Sequence, residues 1–426
     1  MFASLNHQEL TDLEAELKDE YAQFKARDLK LNMARGKPSQ AQLDLSVEML
    51  SLVTDACDCF SEDGTDCRNY GVLDGLPEAK RLMAVMLDDE PDHVIVGGSS
   101  SLTLIYNTLS RFMSFGSLGT KPWAQIRNRK WLCPVPGYDR HFAITETFGF
   151  EMIPVPSDEH GPNMDIVEEL VRNDSDIKGI WCVPKYSNPT GAVYSNDVVL
   201  RLAAMECAAP DFKIFWDNAY GVHHLYGDHE VHRLLDIGAA CRKTGNENRY
   251  IKFASTSKVT FPGAGVSALA SSPENLDEIR KYMGVATIGY DKINQLRHVR
   301  FLQDAEGLAA HMKKQAEIIR PKFDLVEEKL EAGLSNVGSC SWTHPDGGYF
   351  ISFNAPEGTA RRIVNLAKEA GVTMTGPGAT WPYKQDPYDS NIRIAPTLPP
   401  LEELNEALDV FVCCVKLAFV EKLLSV

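Results

Sequence analysis

The sequence has 426 residues, a formal net charge of −16 at pH 7 and a pI near 5.2. So acidic a chain is not expected to have nucleic acid or an anionic membrane surface as its main partner. With 44% hydrophobic and 24% charged residues it is typical of a globular protein, and its length predicts two domains or one large α/β domain with a smaller companion.

The N-terminus has the pattern of an amphipathic, acidic helix. It lacks the basic start and the apolar core of a signal peptide, and no apolar run in the chain is long enough to cross a bilayer. The ten cysteines are scattered and form no CxxC pair. We therefore expect reduced thiols, a cytoplasmic location and no membrane association.

From about residue 76 onward, short apolar runs alternate with amphipathic segments. The runs that have the pattern of buried strands are 93–96, 131–135, 151–155, 179–183, 213–216, 250–254 and 266–270. This alternation predicts a large α/β domain with a mostly parallel seven-stranded sheet flanked by helices. Sheets of this kind bind ligands at the carboxyl ends of their strands.

After about residue 290 the pattern changes to that of a smaller α+β domain. We expect a helical stretch over 291–334, broken or kinked at Pro321, then a strand near 347–353, a helix near 359–370, a strand at 391–395 and a helix from Leu401. The predicted division is a large domain over 51–300 and a small domain over 301–426, which the N-terminal segment 1–50 joins.

Lys258 stands among small and hydroxylated residues in the string STSKVTFPGAG, between two predicted strands. Burial there disfavours the ammonium form, lowers the pKa and makes the amine a better nucleophile. The small neighbours leave room for a flat molecule. A lysine in a surface turn is the alternative, and other parts of the chain must decide between the two.

The string GGSSSL follows a predicted strand and opens a helix at residues 97–102. Backbone N–H groups and hydroxyls at the N-terminus of this helix suit a phosphate group. A serine that caps the helix without any ligand is the alternative. The GxxxxGK[ST] pattern of ATP-binding loops is absent.

Four further side chains follow or lie in predicted strands. Asp217 ends a strand, where it could pair with a protonated ring nitrogen, and the alternatives are a helix cap or a structural ion pair. Asn188, in an Asn-Pro-Thr-Gly turn, could donate to a phenolic oxygen, and Tyr138 could stack on a planar ring. Arg393 could grip a carboxylate through two parallel hydrogen bonds. A plain loop, a core aromatic and a surface ion pair are the respective alternatives for the last three.

The order of these features resembles that of the fold-type I pyridoxal-phosphate aminotransferases over nearly the whole chain. It runs phosphate loop, stacking aromatic, Asn-Pro-x-Gly, Asp-x-x-Tyr, Ser-x-x-Lys and a late arginine. The strings MARGKP, RNYGVLDGLPEAK, CPVPGYDRHF, WDNAYGVHHLY, STSKVTFPGAGV and NIRIAPT are most similar to the divergent bacterial aspartate aminotransferase (MocR-like) subgroup.

The resemblance implies pyridoxal 5'-phosphate as the cofactor and a role for each matched residue. Lys258 would hold the cofactor in a Schiff-base linkage and shuttle the proton, and Asp217 would pair with the pyridinium nitrogen. Tyr220 and Asn188 would hydrogen-bond the 3-oxygen of the ring, and Tyr138 would stack on it.

The same resemblance implies how phosphate and substrate are bound. The phosphate would be held by Gly98, Ser99, Ser100 and Ser255. Tyr70 would reach the phosphate of the neighbouring subunit, which implies a homodimer with shared active sites. Arg393 would bind the substrate α-carboxylate, with Gly36 over it.

The implied activity is transfer of the amino group of an amino acid, most of all aspartate, to 2-oxoglutarate by a ping-pong mechanism. An aminotransferase for aromatic amino acids or alanine, a pyridoxal-phosphate lyase and, remotely, the effector-sensing module of a regulator are the alternatives. No metal is implied: neither the spacing of Cys57, Cys59 and Cys67 nor the adjacent pair His223 and His224 is typical of a metal site.

Two features depart from the family. An arginine is usual about eight residues after the Schiff-base lysine, and Val266 stands there. A cation from elsewhere, or the helix end with its hydroxyls, would have to neutralise the phosphate. The cation for a distal substrate carboxylate is also undecided, and the candidates are Arg35, Lys37, Lys292, Arg297 and Arg300.

Overall fold

The computed structural model describes residues 1–227 and 233–425. The strands are β1 (Leu31–Asn32), β2 (Val94–Val96), β3 (Lys130–Val135), β4 (Glu151–Asp158), β5 (Gly161–Pro162), β6 (Ile177–Cys182), β7 (Lys213–Asp217), β8 (Tyr250–Ser255), β9 (Ser267–Ser271), β10 (Ser341–Trp342), β11 (Ile351–Asn354), β12 (Val372–Thr373) and β13 (Asn391–Ile394). The α-helices are α1 (His7–Lys25), α2 (Gln40–Asp44), α3 (Pro77–Leu87), α4 (Ser101–Phe115), α5 (Asp139–Thr147), α6 (Met164–Asn173), α7 (Asn196–Ala204), α8 (Ile237–Lys243), α9 (Pro273–Ala286), α10 (Lys292–Leu302), α11 (Ala305–Leu334), α12 (Ala360–Glu369) and α13 (Leu401–Leu424).

The central sheet has the strand order β2-β9-β8-β7-β6-β3-β4-β5. The contacts between β4, β3, β6, β7 and β8 are parallel, whereas β9 runs antiparallel to both of its neighbours. The seven predicted strands are all present, and the mostly parallel sheet is confirmed. The eighth strand, β5, is a two-residue hairpin partner of β4.

Burial explains why the central strands read as apolar runs. Every residue of β6, β7, β8 and β9 is buried. A strand that is covered by helices on both faces needs apolar or hydrogen-bonded side chains on both, so it lacks the alternation of a half-exposed strand. The carboxyl ends of β6, β7 and β8 meet at one edge of the sheet, where the candidate site lies.

The predicted break at Pro321 is wrong in position. The helical stretch is interrupted at Gln303, whose φ is +62°, and Asp304 then caps α11 by accepting hydrogen bonds from the N–H groups of Glu306 and Gly307. Pro321 lies inside α11, which continues through it. The proline lacks one N–H donor, but the packed helix tolerates that loss.

The C-terminal half of the chain builds a second, smaller sheet. Strands β10, β11 and β13 form it in antiparallel order, and one hydrophobic cluster joins side chains of α1, α11, α12 and α13. Strand β1 also pairs with β12. These contacts support the proposal that residues 1–50 belong with a small domain at 301–426, separate from a large domain at 51–300.

Within the described ranges, every helix falls short of the length and apolar character that a membrane crossing requires. The ten cysteines, Cys57, Cys59 and Cys67 among them, are free thiols. In the same part of the chain no group of three or more histidine, cysteine or acidic side chains has the arrangement of a metal site.

Candidate active site

A cavity of about 270 Å³ opens at the carboxyl ends of the central strands. Asp217 is the last residue of β7, Ser255 the last residue of β8, and Val183 follows β6 directly. The lining residues are Ser100, Ser101, Leu102, Tyr138, Val183, Asn188, Asp217, Ala219, Tyr220, Ser255, Ser257, Lys258 and Pro262. The structure thus brings together seven of the predicted site residues, although they are far apart in the sequence.

Asp217 is held from behind by a histidine that the sequence reasoning missed. The Nε2 atom of His141 lies 3.0 Å from Oδ2 of Asp217, and both side chains are buried. The imidazole stacks on Trp181, with ring centres 4.5 Å apart. The other carboxylate oxygen, Oδ1 of Asp217, is buried and finds no hydrogen-bond donor among the described residues. That oxygen remains available to a donor in the cavity.

His141 could have been found from the sequence. It lies three residues after Tyr138, in the first turn of α5, and residues at this spacing share one face of a helix. Since Tyr138 was predicted to face the cofactor, a polar residue on the same face was a candidate for the same site. The ring centres of Tyr138 and His141 are 4.9 Å apart.

Arg393 makes two hydrogen bonds through one nitrogen. Its Nη1 donates to Oδ1 of Asn188 over 3.1 Å and to Oδ1 of Asp139 over 3.0 Å. The guanidinium carbon lies 4.7 Å from the centre of the Phe350 ring. The Nε atom of Arg393 and the Nδ2 atom of Asn188 are buried and without an acceptor among the described residues. Arg393 is therefore oriented from several sides and still has donors to offer.

Gly36 contacts the site through Phe350 rather than by lining the cavity. A Cβ atom at Gly36 would lie 2.5 Å from Cζ of Phe350, so any side chain there would displace the ring that packs against Arg393. Glycine at this position lets the loop contact the Phe350 ring.

Lys258 lines the cavity with its amine 4.7 Å from the centre of the Tyr220 ring. Burial lowers the pKa of the amine; the Asp217 carboxylate opposes this shift and the Arg393 cation adds to it. Burial also raises the pKa of Tyr220 well above its ordinary value, so its hydroxyl keeps its proton. A neutral amine is the form that can act as a nucleophile and accept a proton.

The backbone of Lys258 is fixed by two side chains. Its carbonyl lies 3.3 Å from Nε2 of His223 and accepts a hydrogen bond of 3.4 Å from the Tyr349 hydroxyl. Burial, with a smaller effect of the Lys258 cation, lowers the pKa of His223 to about 3. His223 is thus a neutral donor that positions Lys258.

The predicted phosphate-binding residues divide into two groups. Ser100 and Ser255 line the cavity, whereas Gly98 and Ser99 contribute carbonyls that accept from Ser267 and from the Ser257 hydroxyl. Ser257, which the sequence reasoning left out, lies in the lining with its hydroxyl 3.0 Å from that of Ser255. Ser100 also caps α4, since its side chain accepts a hydrogen bond from the N–H of Leu102, and its role in phosphate binding stays a prediction.

In the part of the chain that the structure describes, no cation of the lining replaces the missing family arginine. Val266 is buried, and its N–H donates to Oγ1 of Thr256 over 2.9 Å. Lys292 donates to the carbonyl of Gly71 and Arg300 to that of Leu52. The candidate cations for a distal substrate carboxylate also lie outside the cavity lining of the described chain. They are Arg35, Lys37, Lys292, Arg297 and Arg300.

A buried histidine organises the loop where that arginine was expected. The Nδ1 atom of His298 is 2.8 Å from the carbonyl of Asn294, so it carries the proton. Nε2 then accepts from the hydroxyls of Thr256 and Thr260, at 3.1 and 2.9 Å. Burial lowers the pKa of His298 to about 4. The neutral ring ties α10 to the two turns on either side of Lys258.

We expect His298 to make the protein less stable in mild acid. Its pKa is about 4 in the folded chain and near 6.5 when unfolded, so below pH 6.5 the unfolded chain binds the additional proton. Its contribution is full above pH 6.5 and falls by about 2 kcal/mol at pH 5. Urea unfolding of wild type and His298→Gln at pH 7 and pH 5, at one protein concentration, measures this difference.

The variant should lose about 2 kcal/mol less than wild type between the two pH values. His160→Gln is the matched control because that side chain is 68% exposed, and it should lose as much as wild type. An equal loss in His298→Gln and wild type would contradict the expectation.

Tyr70 is the predicted residue that the structure keeps apart. It is 83% exposed and lies outside the cavity lining of its own chain. Its contact with the phosphate of a neighbouring subunit stays a prediction.

Solved structures share this fold. LysN, an α-aminoadipate aminotransferase of Thermus thermophilus complexed with N-(5'-phosphopyridoxyl)-L-leucine, has the same fold, with a TM-score of 0.73 at 19% identity over 93% of this chain and 95% of that one. An aspartate transaminase of Corynebacterium glutamicum superimposes with a TM-score of 0.95 at 45% identity, covering 99% of both chains. The fold is that of the fold-type I aminotransferases, as predicted.

Sequence comparison adds the family. A family model described as aspartate amino-transferase matches residues 5–426. An aspartate aminotransferase of Corynebacterium glutamicum is 46% identical over an alignment of 429 positions, which covers 99% of this chain and 98% of that protein. The chain belongs to the aspartate aminotransferase family and is an aminotransferase. The resemblance and the enzyme class predicted from the sequence are confirmed.

Proposed function

We propose that this aminotransferase uses pyridoxal 5'-phosphate to transfer the amino group of aspartate to 2-oxoglutarate by a ping-pong mechanism. One observation supports the cofactor most directly. A buried acceptor, Oδ1 of Asp217, and a buried donor, Nδ2 of Asn188, lack partners among the described residues. Both residues line the cavity that contains Lys258. The aspartate aminotransferase relative of Corynebacterium glutamicum supports the substrate.

The residues present fit this cofactor. The free carboxylate oxygen of Asp217 matches a protonated ring nitrogen, and the free amide donor of Asn188 matches a phenolic oxygen. Tyr138 offers a ring face for stacking. The hydroxyls of Ser100, Ser255 and Ser257 could hydrogen-bond a phosphate group, and the N-terminus of α4 lies beside them at Ser100. When bound, the cofactor supplies an electron sink for the pair that the substrate Cα–H bond releases.

The protein's own part is to orient the substrate and move one proton. Arg393 binds the α-carboxylate and so directs the Cα–H bond toward Lys258. The Lys258 amine, whose pKa burial lowers, would take the α-proton from the substrate and deliver it to the cofactor carbon within the same half-reaction. The second half-reaction would run this proton transfer in reverse. Because amino acid and oxo acid occupy the same site in turn, both depend on the same arginine.

We expect Arg393→Lys to lower kcat/KM for both substrates. Lysine keeps the charge but loses the bidentate fork, which costs roughly 2–4 kcal/mol, or about 30- to 1000-fold in kcat/KM. Steady-state kinetics with aspartate and 2-oxoglutarate measure it. Arg362→Lys is the matched control, since Arg362 makes a two-nitrogen pair with Glu421 on the surface. An unchanged kcat/KM in Arg393→Lys would remove it from the carboxylate role.

The proposal includes a homodimer in the cytoplasm. Tyr70 is exposed in the single chain, so its hydroxyl is available to the phosphate site of a partner subunit. The ten free thiols support a reducing compartment. Sedimentation of the holoenzyme tests the dimer, and a Tyr70→Phe variant that weakens cofactor retention without dissociating the dimer supports the shared site.

A kinetic screen tests the substrate. Each amino acid is offered with 2-oxoglutarate while glutamate formation and the visible absorption of the cofactor are followed together. Aspartate should give the highest kcat/KM. A preference for an aromatic amino acid or alanine would replace the substrate only, and oxo-acid release without glutamate formation would indicate a lyase.

A further inference from the structure

We propose that Asp139 is a counter-ion built into the substrate-carboxylate site, which neutralises Arg393 in the free enzyme and weakens its hold on every carboxylate that enters. The inference rests on the proposed role of Arg393 in binding the substrate carboxylate. It adds a specific residue that opposes binding, where the sequence reasoning considered only residues that favour it.

The contact itself is direct. Oδ1 of Asp139 accepts a hydrogen bond of 3.0 Å from Nη1 of Arg393, whose side chain is 8% exposed while that of Asp139 is 35% exposed. A guanidinium so far from solvent needs a compensating charge. Among the described residues, Asp139 is the acidic side chain within ion-pair distance of Arg393. The pair is therefore close to neutral before any substrate arrives.

The geometry leaves limited choices to an incoming carboxylate. Nη1 has two hydrogens, and Asn188 and Asp139 accept one each. A carboxylate that binds across Nη1 and Nη2 must take a hydrogen from one of them. A carboxylate that binds along Nε and Nη2 uses the unpartnered Nε and leaves both acceptors in place. In either case the negative charge of Asp139 opposes the second carboxylate.

The position of Asp139 at the start of a helix stabilises the negative charge that opposes substrate binding. Asp139 is the first residue of α5, where the helix N-terminus favours a negative charge, and it follows the cofactor-facing Tyr138. A ping-pong enzyme must release a carboxylate product from the same arginine in each half-reaction. Tight ground-state binding does not accelerate the chemistry. Asp139 thus shortens product residence at the cost of affinity.

The test is Asp139→Asn, which keeps the size and the acceptor oxygen but removes the charge. The probe is succinate, a dicarboxylate with neither amino nor keto group, used as a competitive inhibitor of the holoenzyme. We expect its Ki, and the KM of both substrates, to fall about three- to tenfold. Asp139→Ser should give the same fall, which protects the test against a folding defect in one variant. An unchanged or increased Ki in both variants would overturn the proposal.

Two controls separate this proposal from the function on which it rests. Asp165→Asn removes the same charge at an 85% exposed side chain that pairs with Arg201, and it should leave Ki unchanged. Arg393→Lys must weaken succinate binding. If it does not, Arg393 does not bind carboxylates and the proposed function fails. If it does while the Asp139 variants equal wild type, only the role of Asp139 fails.

Discussion

Replacing Lys258 by alanine should abolish transamination and the visible absorption of the lysine-bound cofactor. The side chain has two tasks, as nucleophile toward the cofactor and as the base at the substrate α-carbon, and no other lysine lines the cavity of the described chain. Loss of a positioned acid–base group alone costs about 10²- to 10⁴-fold, so we expect kcat to fall at least roughly 10³-fold. Absorption spectra and single-turnover kinetics measure the two effects.

The matched control is another buried lysine. Lys213 begins β7, the strand that Asp217 ends, and burial lowers its pKa to about 8. Lys213→Met should destabilise the protein, since the amine donates to Asn275, but should keep the absorption band and kcat within a few-fold of wild type. Normal turnover in Lys258→Ala would refute the assignment of the catalytic lysine.

Asp217→Asn should lower kcat/KM for the amino acid by about 10²- to 10³-fold. The amide keeps the shape of the side chain but removes the negative charge that holds a proton on the ring nitrogen. The electron sink then weakens because the ring is no longer cationic. The pairing with His141 is altered as well, since its Nε2 lies 3.0 Å from the substituted group. The rate of the aspartate half-reaction, followed by absorbance, is the direct measurement.

Asp211→Asn is the control for loss of a buried carboxylate. Asp211 is 5% exposed, pairs with Lys178 and receives a hydrogen bond from Trp123, outside the cavity lining. The Asp211→Asn variant should have a lower free energy of unfolding, while the rate of its half-reaction should stay close to that of the wild type. A half-reaction in Asp217→Asn as fast as in Asp211→Asn would show that Asp217 has no part in the chemistry.

Much of the fold was predictable because burial leaves a mark on composition. The strands β6 to β9 are covered on both faces, so their sequences are short apolar runs between helical patterns. The break in the long helix was less predictable. Pro321 is the strongest local signal for a break, yet α11 runs through it, and Asp304 starts that helix by its cap. Packing overrode the local preference of one residue.

Among the site residues, those in a recognisable local pattern were predicted and those that act from behind were missed. Lys258, Asp217 and Arg393 each stand in a string with family character. His141 lies in α5 and contacts Asp217 at the end of β7, and Ser257 looked like one more small residue near the lysine. No role was predicted for Asp139, which stands next to Tyr138 in the string CPVPGYDRHF. Its partner Arg393 lies 254 positions further along the chain, so no local pattern indicates the contact.

The sequence by itself determined the order of strands and helices and the set of side chains that we propose for the aminotransferase chemistry, because these depend on local pattern and residue type. Only the tertiary structure decided how those groups are charged and held. The lowered pKa of Lys258, the Asp217 oxygen that has no donor among the described residues, and the ion pair of Arg393 with Asp139 depend on burial and on partners distant in the chain. Desolvation and ion pairing act through space, so they exist only once the strand ends have met.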